Sequence, residues 1–114
     1  MSELKIIERD GAIIAVPDKR LDTNTAPDAE TGLALQLEKG NSKIIIDFKN
    51  TDYISSAGLR VILKSAKMAK QNSGLVVLCN ANSQIHEVLE ISGFLTMLKH
   101  FDNLDDALQH VLGN

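Results

Sequence analysis

The sequence predicts a single α/β domain whose mixed sheet starts with an antiparallel hairpin, continues with parallel strands and packs against about four helices. Two β-branched runs come first, at residues 4–8 and 12–16, and Asp10-Gly11 between them suits a two-residue hairpin turn. After the hairpin, apolar strand-like runs alternate with helical patterns, which favours parallel strands joined by right-handed crossovers. The 114 residues are enough for one core but not for two, so we assign residues 1–114 to one domain.

The first helix is predicted to begin in the segment Thr25-Ala26-Pro27-Asp28. Thr25 would cap it, Pro27 fits its first turn, and Asp28 would complete a short capping box. Gly40-Asn41 should end this helix. One face is expected to carry an apolar stripe, which consists of Ala26, Ala29, Leu33 and Leu37.

Two continuous apolar runs, residues 44–48 and 75–79, are typical of strands that are covered on both faces. Cys79, at the end of the second run, is expected to be a small buried core residue. A short helix follows Asn82 or Ser83. A weak strand over residues 96–101 and a C-terminal helix that begins near Asn103 complete the expected order of elements.

The clearest helical pattern begins at two adjacent serines, Ser55 and Ser56, which follow the strand at residues 44–48. Backbone N–H groups at such a helix start lack intrahelical partners, so one serine is explained by capping. The second would point outward, and Gly58 leaves the nearby backbone without a side chain. The stripe of this helix follows the helical period and consists of Leu59, Ile62, Leu63, Ala66 and Ala69.

Three segments resemble one known family. Residues Asp52–Leu59 resemble the signature D-x-(I/M)-(D/S)-S-(S/T/A)-G-L of the anti-sigma factor antagonists, the STAS domains. Residues Arg20–Pro27 resemble the turn into the first helix of that family, and Glu87–Phe94 resemble its later E-(V/I)-L-x-(L/I)-(S/T)-G-(L/F) segment. The resemblance therefore spans the chain and implies a STAS-like domain, with Ser56 at the position that the family phosphorylates.

The resemblance also implies a function, a partner switch. The unphosphorylated protein is expected to bind an anti-sigma factor and free a sigma factor, until the anti-sigma factor, acting as a serine kinase, phosphorylates Ser56 and ends the complex. A serine phosphatase is a further candidate partner. The expected partner-binding residues are Asp22, Thr23, Asn24, Ser55, Ser56, Ala57, Gly58, Leu59 and Arg60, extended along the outer helix face by Val61 and Lys64. Ser55 stands where many relatives have Asp, which leaves a second hydroxyl beside Ser56.

The position of Ser56 limits how such a switch can act. A phosphate carries about −1.5 to −2 charges, and a helix N-terminus accepts an anion, so phosphorylation should change the partner contact rather than melt the helix. Asp22 would join Asp52 near the serine if the loop after the hairpin packs beside the serine turn. We also expect Gly58→Val to melt like the wild type while losing kinase binding.

Other classes of function find little support in the sequence. The three histidines lie far apart, and no phosphate-binding loop or nucleophile elbow is present, so we predict no enzyme activity, cofactor or metal. A net charge of −3 without a basic run argues against nucleic-acid binding. No apolar run approaches the roughly 20 residues of a membrane span, so a cytoplasmic protein is expected. We further expect a monomer or weak dimer.

Two alternatives stay open. The chain could be a STAS module of another system, either a stressosome scaffold or a subunit that binds a membrane transporter's ATPase. A receiver-like domain phosphorylated on aspartate is less well supported. Asp47 or Asp52 could supply one residue of its site, but the early strands end in Ile7-Glu8 and Val16-Pro17-Asp18, which do not complete the acidic pocket.

Overall fold

The computed structural model describes residues 4–113, and the predicted alternation of strands and helices is present in that range. The strands are β1 (Lys5–Arg9), β2 (Ala12–Val16), β3 (Arg20–Leu21), β4 (Lys43–Asp47), β5 (Tyr53–Ile54), β6 (Leu75–Cys79) and β7 (His100–Phe101). The helices are α1 (Ala26–Glu38), α2 (Ser56–Gln71), α3 (Ser83–Ile91), α4 (Phe94–Met97) and α5 (Leu104–Leu112). The described residues thus hold five helices, where about four were expected.

The main sheet has the mixed pattern that the sequence predicts. Its strand order is β1-β2-β4-β6-β7, with β1 antiparallel to β2 and every other pair parallel. In the hairpin turn, Asp10 has φ of 55° and Gly11 has φ of 90°, the positive values that a tight two-residue turn requires. The remaining two strands, β3 and β5, form a separate small parallel ladder that the sequence did not predict.

The sheet is covered on both faces, as the apolar strands indicate. Because successive strand residues point to opposite sides, Ile44 and Ile46 pack with α1, α2 and α3, whereas Ile45 packs with α5. The predicted stripe of α1 is buried: Ala26, Ala29, Leu33 and Leu37. Cys79 is fully buried on the face covered by α5, which confirms its assignment to the core.

The expected capping box at the start of α1 is wrong. Thr25 occupies the N-cap position, but its side chain makes no bond to the first turn. Its hydroxyl instead donates to the carbonyl oxygen of Arg20 at 2.8 Å and accepts from the N–H of Asp22 at 2.9 Å. The N–H of Ala26 also bonds back into the preceding loop, to the backbone oxygen of Asp22 at 2.7 Å.

The expected strand over residues 96–101 is also wrong over most of its length. Gly93 takes a left-handed conformation, with φ of 80°, and the short helix α4 follows it. Local bonds hold this turn, since the Thr96 hydroxyl donates to the Gly93 oxygen at 2.7 Å and the Leu98 N–H to the Phe94 oxygen at 2.8 Å. Only residues 100–101 remain to pair with β6 as β7.

Candidate functional site

The two adjacent serines have different environments. Ser55 is the N-cap of α2, and its half-buried hydroxyl accepts a hydrogen bond from the N–H of Gly58 at 3.4 Å. Ser56 is the first residue of the helix and is exposed, and its hydroxyl makes no hydrogen bond with another residue in the range 4–113. One serine therefore caps the helix and the other presents a free hydroxyl to solvent, as the sequence indicates.

The small β3–β5 ladder brings the loop after the hairpin to the serine turn. Its register pairs Arg20 with Tyr53 and Leu21 with Ile54. At the end of the ladder, the N–H of Ser55 donates to the carbonyl oxygen of Leu21 at 2.9 Å. The expected packing of that loop beside the serine turn is confirmed, although the ladder that produces it involves residues just before the predicted site.

Asp22 organises the loop at residues 22–25. One of its carboxylate oxygens accepts from the N–H of Asn24 at 3.0 Å and from that of Thr25 at 3.2 Å. The other accepts from Nε of Arg20 at 3.1 Å, and this hydrogen bond is the main reason why the pKa of Asp22 is lowered. The Arg20 guanidinium also lies 4.3 Å from the centre of the Tyr53 ring, so Arg20 joins the loop to β5.

Gly58 is buried where α2 meets β3. A β-carbon at this position would lie 2.5 Å from the Leu21 carbonyl oxygen and 2.9 Å from its Cγ. Gly58 is therefore needed for the close approach of the adjoining loop, and it does not itself face a partner. The expectation that Gly58→Val melts like the wild type is wrong, because the added side chain would collide with backbone.

A shallow groove of about 300 Å³ runs between α1 and α2 beside the serine turn. Its walls are Thr23, Ala26, Pro27 and Glu30 on one side and Ala57, Arg60 and Val61 on the other. Val61 is only 4% exposed, so its expected place on the outer face of the helix is wrong. Lys64 does lie outside, where it pairs with Glu30 across the two helices at 3.3 Å.

A second groove, of about 390 Å³, opens on the other side of β5, between that strand and α3. Its rim carries two exposed apolar side chains, Tyr53 at 43% and Ile91 at 77% exposure. Asp52 and Glu87 add negative charge to the same groove. The sequence analysis missed this surface because a single exposed Ile at a helix end has no pattern of its own.

Comparison with known proteins decides the family. The sequence model of the STAS domain family matches residues 3–107 of this chain. The chain belongs to the STAS domain family. Among curated relatives, the chain is 43% identical over 88 residues to BtrV of Bordetella bronchiseptica, a candidate anti-sigma factor antagonist, with 77% of this chain and 76% of the relative covered.

Solved structures share the fold of this STAS domain. A candidate anti-sigma factor antagonist of Thermotoga maritima superposes with a TM-score of 0.90 at 24% identity, covering 95% of this chain and 93% of that one. The Bacillus cell fate determinant SpoIIAA in its phosphorylated form superposes with a TM-score of 0.74 at 17% identity, covering 97% and 99%. The resemblance inferred from three sequence segments is therefore confirmed for the family and the fold.

Within this STAS domain, the predicted site residues lie together at one end, around the start of α2, but with unequal exposure. Four are exposed: Thr23, Asn24, Ser56 and Arg60. Asp22, Ser55, Ala57 and Leu59 are half-buried, and Leu59 packs against the core. The residues that sequence reasoning missed are Arg20, Leu21 and Tyr53, although the family-like segment Arg20–Pro27 contained the first two.

The described residues include neither a metal-ligand cluster nor a membrane-spanning helix. No group of three or more His, Cys, Asp and Glu side chains in residues 4–113 could hold a metal ion, and no helix there is long and apolar enough to cross a membrane. His100 has a structural role, since its Nε2 accepts from the N–H of Ala81 at 3.1 Å. Burial and the neighbouring His86 lower the pKa of His100.

Proposed function

We propose that this STAS domain is an anti-sigma factor antagonist that binds an anti-sigma factor with serine kinase activity while Ser56 is unmodified, and that phosphorylation of Ser56 ends this binding. The observation that carries the proposal is the exposed hydroxyl of Ser56 on the first residue of α2, beside the loop at residues 22–25. Ser55 offers no comparable group, because its hydroxyl is half-buried and caps the helix. The 43% identity to BtrV supports the same pathway.

The phosphorylation step needs only the hydroxyl from this chain. The Ser56 oxygen forms a bond to the γ-phosphorus of an ATP held by the kinase, the bond from that phosphorus to the bridging oxygen breaks, and ADP leaves. The hydroxyl proton passes to a base of the kinase. Exposure matters because the phosphorus must approach the oxygen in line with the leaving group.

The phosphate acts on the interface rather than on the fold. At the first residue of α2 it lies where free N–H groups and the helix dipole favour an anion. In a bound partner, the same phosphate would be desolvated and pressed against any carboxylate that faces the site. The Bacillus SpoIIAA structures support an effect that leaves the fold in place, since that protein has the same fold in its unphosphorylated and phosphorylated forms.

The proposal also covers how the domain works in the cell and where its partner binds. The domain has no turnover of its own and works in the cytoplasm as a monomer or weak dimer, with a phosphatase restoring the unmodified serine. Both grooves beside the serine turn belong to the partner's footprint, which needs about 800 Å² from each protein. A partner for the groove at Tyr53 and Ile91 should bring an apolar side chain, and a basic group to meet Asp52 and Glu87.

Co-purification followed by intact-mass measurement tests the function. A tagged wild-type chain should recover an anti-sigma-type kinase, and adding ATP should increase its mass by one phosphate and release the kinase. Ser56→Ala should recover the kinase, gain no phosphate and stay bound, whereas Ser55→Ala should behave like the wild type. Phosphate mapped to Ser55 or Ser65, with Ser56 unmodified, would overturn the proposal.

The same experiment separates the alternative roles of a STAS module. A stressosome scaffold would recover a large assembly of other STAS proteins, and a transporter-associated subunit would recover a membrane complex. Recovery of either one without a kinase would replace the role proposed here.

A further inference from the structure

Arg60 is an exposed cation of the site that has no ionic partner among residues 4–113. Three acids around the serine turn pair with cations other than Arg60: Asp22 with Arg20 at 3.1 Å, Asp52 with Lys19 at 3.8 Å and Glu30 with Lys64 at 3.3 Å. The side chain of Arg60 makes no ion pair and no hydrogen bond with any residue from 4 to 113. It lines the groove that Glu30 also lines, yet Glu30 is engaged by Lys64.

The helix places Arg60 one turn after Ser56, on the same face. Residues four apart on a helix have their β-carbons about 5–6 Å apart, and an acid that precedes a base by four residues is the favourable order. Helix side chains also lean toward the N-terminus, which directs Arg60 back toward the turn that holds Ser56. A guanidinium can form two parallel hydrogen bonds with phosphate oxygens.

From these observations we propose that Arg60 binds the phosphate of phosphorylated Ser56 within the same chain and so fixes it over the first turn of α2. The inference rests on the proposed function, since it concerns the modified form of that serine. It adds a second element to the switch. In the unmodified protein the Arg60 guanidinium is open to a carboxylate of the partner, and in the phosphorylated protein the chain's own phosphate occupies it.

Phosphorus NMR of a chain with phosphoserine inserted at position 56 during translation tests this proposal without any kinase. The second pKa of the phosphate should be lower in the wild type than in Arg60→Gln by about half a unit, a roughly threefold change in proton dissociation. Arg60→Lys keeps the positive charge but loses the planar guanidinium, so the phosphate pKa of this variant should lie between those of the wild type and Arg60→Gln. Lys67→Gln is the matched control, because it removes an exposed charge from the same helix about three turns away.

The outcomes separate this inference from the proposed function. A wild-type phosphate pKa in Arg60→Gln, or equal shifts in Arg60→Gln and Lys67→Gln, would overturn the role of Arg60 and leave the kinase experiment standing. Phosphorylation should also raise the melting temperature of the wild type more than that of Arg60→Gln. An equal rise in both proteins would count against the contact.

Discussion

The carbonyl oxygen of Leu21 leaves no room for a side chain on Gly58, because a β-carbon on Gly58 would lie 2.5 Å from that oxygen. The same oxygen accepts the N–H of Ser55 at 2.9 Å, so it cannot move without breaking the β3–β5 junction. The Leu21 carbonyl therefore takes part in holding the loop at residues 22–25 to the serine turn, together with the β3–β5 pairing.

We expect Gly58→Ala to destabilise the fold. The added β-carbon would overlap the Leu21 oxygen, and overpacking of this kind costs about 1–3 kcal/mol of the free energy of unfolding. Urea denaturation followed by circular dichroism measures this cost. An unchanged denaturation midpoint would show that the loop can move away freely.

Gly32→Ala is the matched control, since it makes the same change inside helix α1. There the new β-carbon would meet only the Leu4 side chain, whose nearest atom, Cδ2 at 3.1 Å, can rotate away. Replacing a helical glycine also gains about 1 kcal/mol in helix propensity. Gly32→Ala should therefore be neutral or slightly stabilising in the same assay.

The two serines should respond to alanine in opposite ways. Ser55→Ala removes the N-cap of α2 and should cost about 1 kcal/mol of unfolding free energy while leaving phosphorylation intact. Ser56→Ala removes no hydrogen bond within the described chain and should leave stability unchanged while abolishing phosphorylation. Thermal melts together with mass spectrometry of both variants check this reciprocal pattern, and stability lost from Ser56→Ala would contradict it.

Ser56→Asp should separate binding from folding. A charge pressed into the contact, at a cost of about 3 kcal/mol, lowers the affinity for the anti-sigma factor on the order of 100-fold. The fold should be unaffected, because an acid at the first residue of a helix is favourable. Calorimetric titration with the recovered kinase measures the affinity, and a variant that melts many degrees lower would refute the interface mechanism.

Asp22→Ala should loosen the loop at residues 22–25, because this carboxylate holds two N–H groups and Arg20. We expect a lower melting temperature near neutral pH. The pKa of Asp22 is lowered in the folded protein, so its contribution is present above the ordinary value of 3.8 and is lost as pH falls through the folded value. The difference in melting temperature between the wild type and Asp22→Ala should therefore become smaller at acidic pH. Asp28→Ala, an exposed acid in the first turn of the adjoining helix, should show a smaller gap at neutral pH.

His100 should make stability depend on pH below 6.5. Its pKa is lowered in the fold from 6.5, so the unfolded chain binds the proton more readily and stability falls as pH drops through that value. His100→Gln keeps an acceptor for the Ala81 N–H and removes the titration. Urea midpoints between about pH 8 and about pH 5 should fall more steeply for the wild type. Parallel curves for the two proteins would show that His100 does not contribute.

The sequence predicted what depends on periodicity and on turn chemistry. Apolar runs identified β4 and β6, and the stripes identified α1 and α2, because burial imposes these patterns along a single element. Asn103 marked the start of α5 correctly, and its side chain accepts from the N–H of Asp106 at 2.8 Å.

What the sequence could not show are relationships between distant segments. The two-residue strands β3 and β5 are too short to carry a period, and their pairing depends on how α1 and α2 pack. The burial of Val61 against the groove and the closeness of Leu21 to Gly58 arise from the same packing. The predicted strand over residues 96–101 is reduced to residues 100–101 because Gly93 takes a left-handed conformation and leads into helix α4, which composition alone does not reveal.

The burial of Cys79 provides a natural probe of how often the core around this residue opens. The chain has one cysteine, fully buried, and burial raises its pKa to about 12. The reactive thiolate is thus almost absent in the closed state, and a thiol reagent can label the chain only after the layer under α5 has separated. The rate at which Cys79 is labelled would then report how often the core between the sheet and α5 opens. It can be compared among the wild type, the phosphorylated chain and the variants without an added dye.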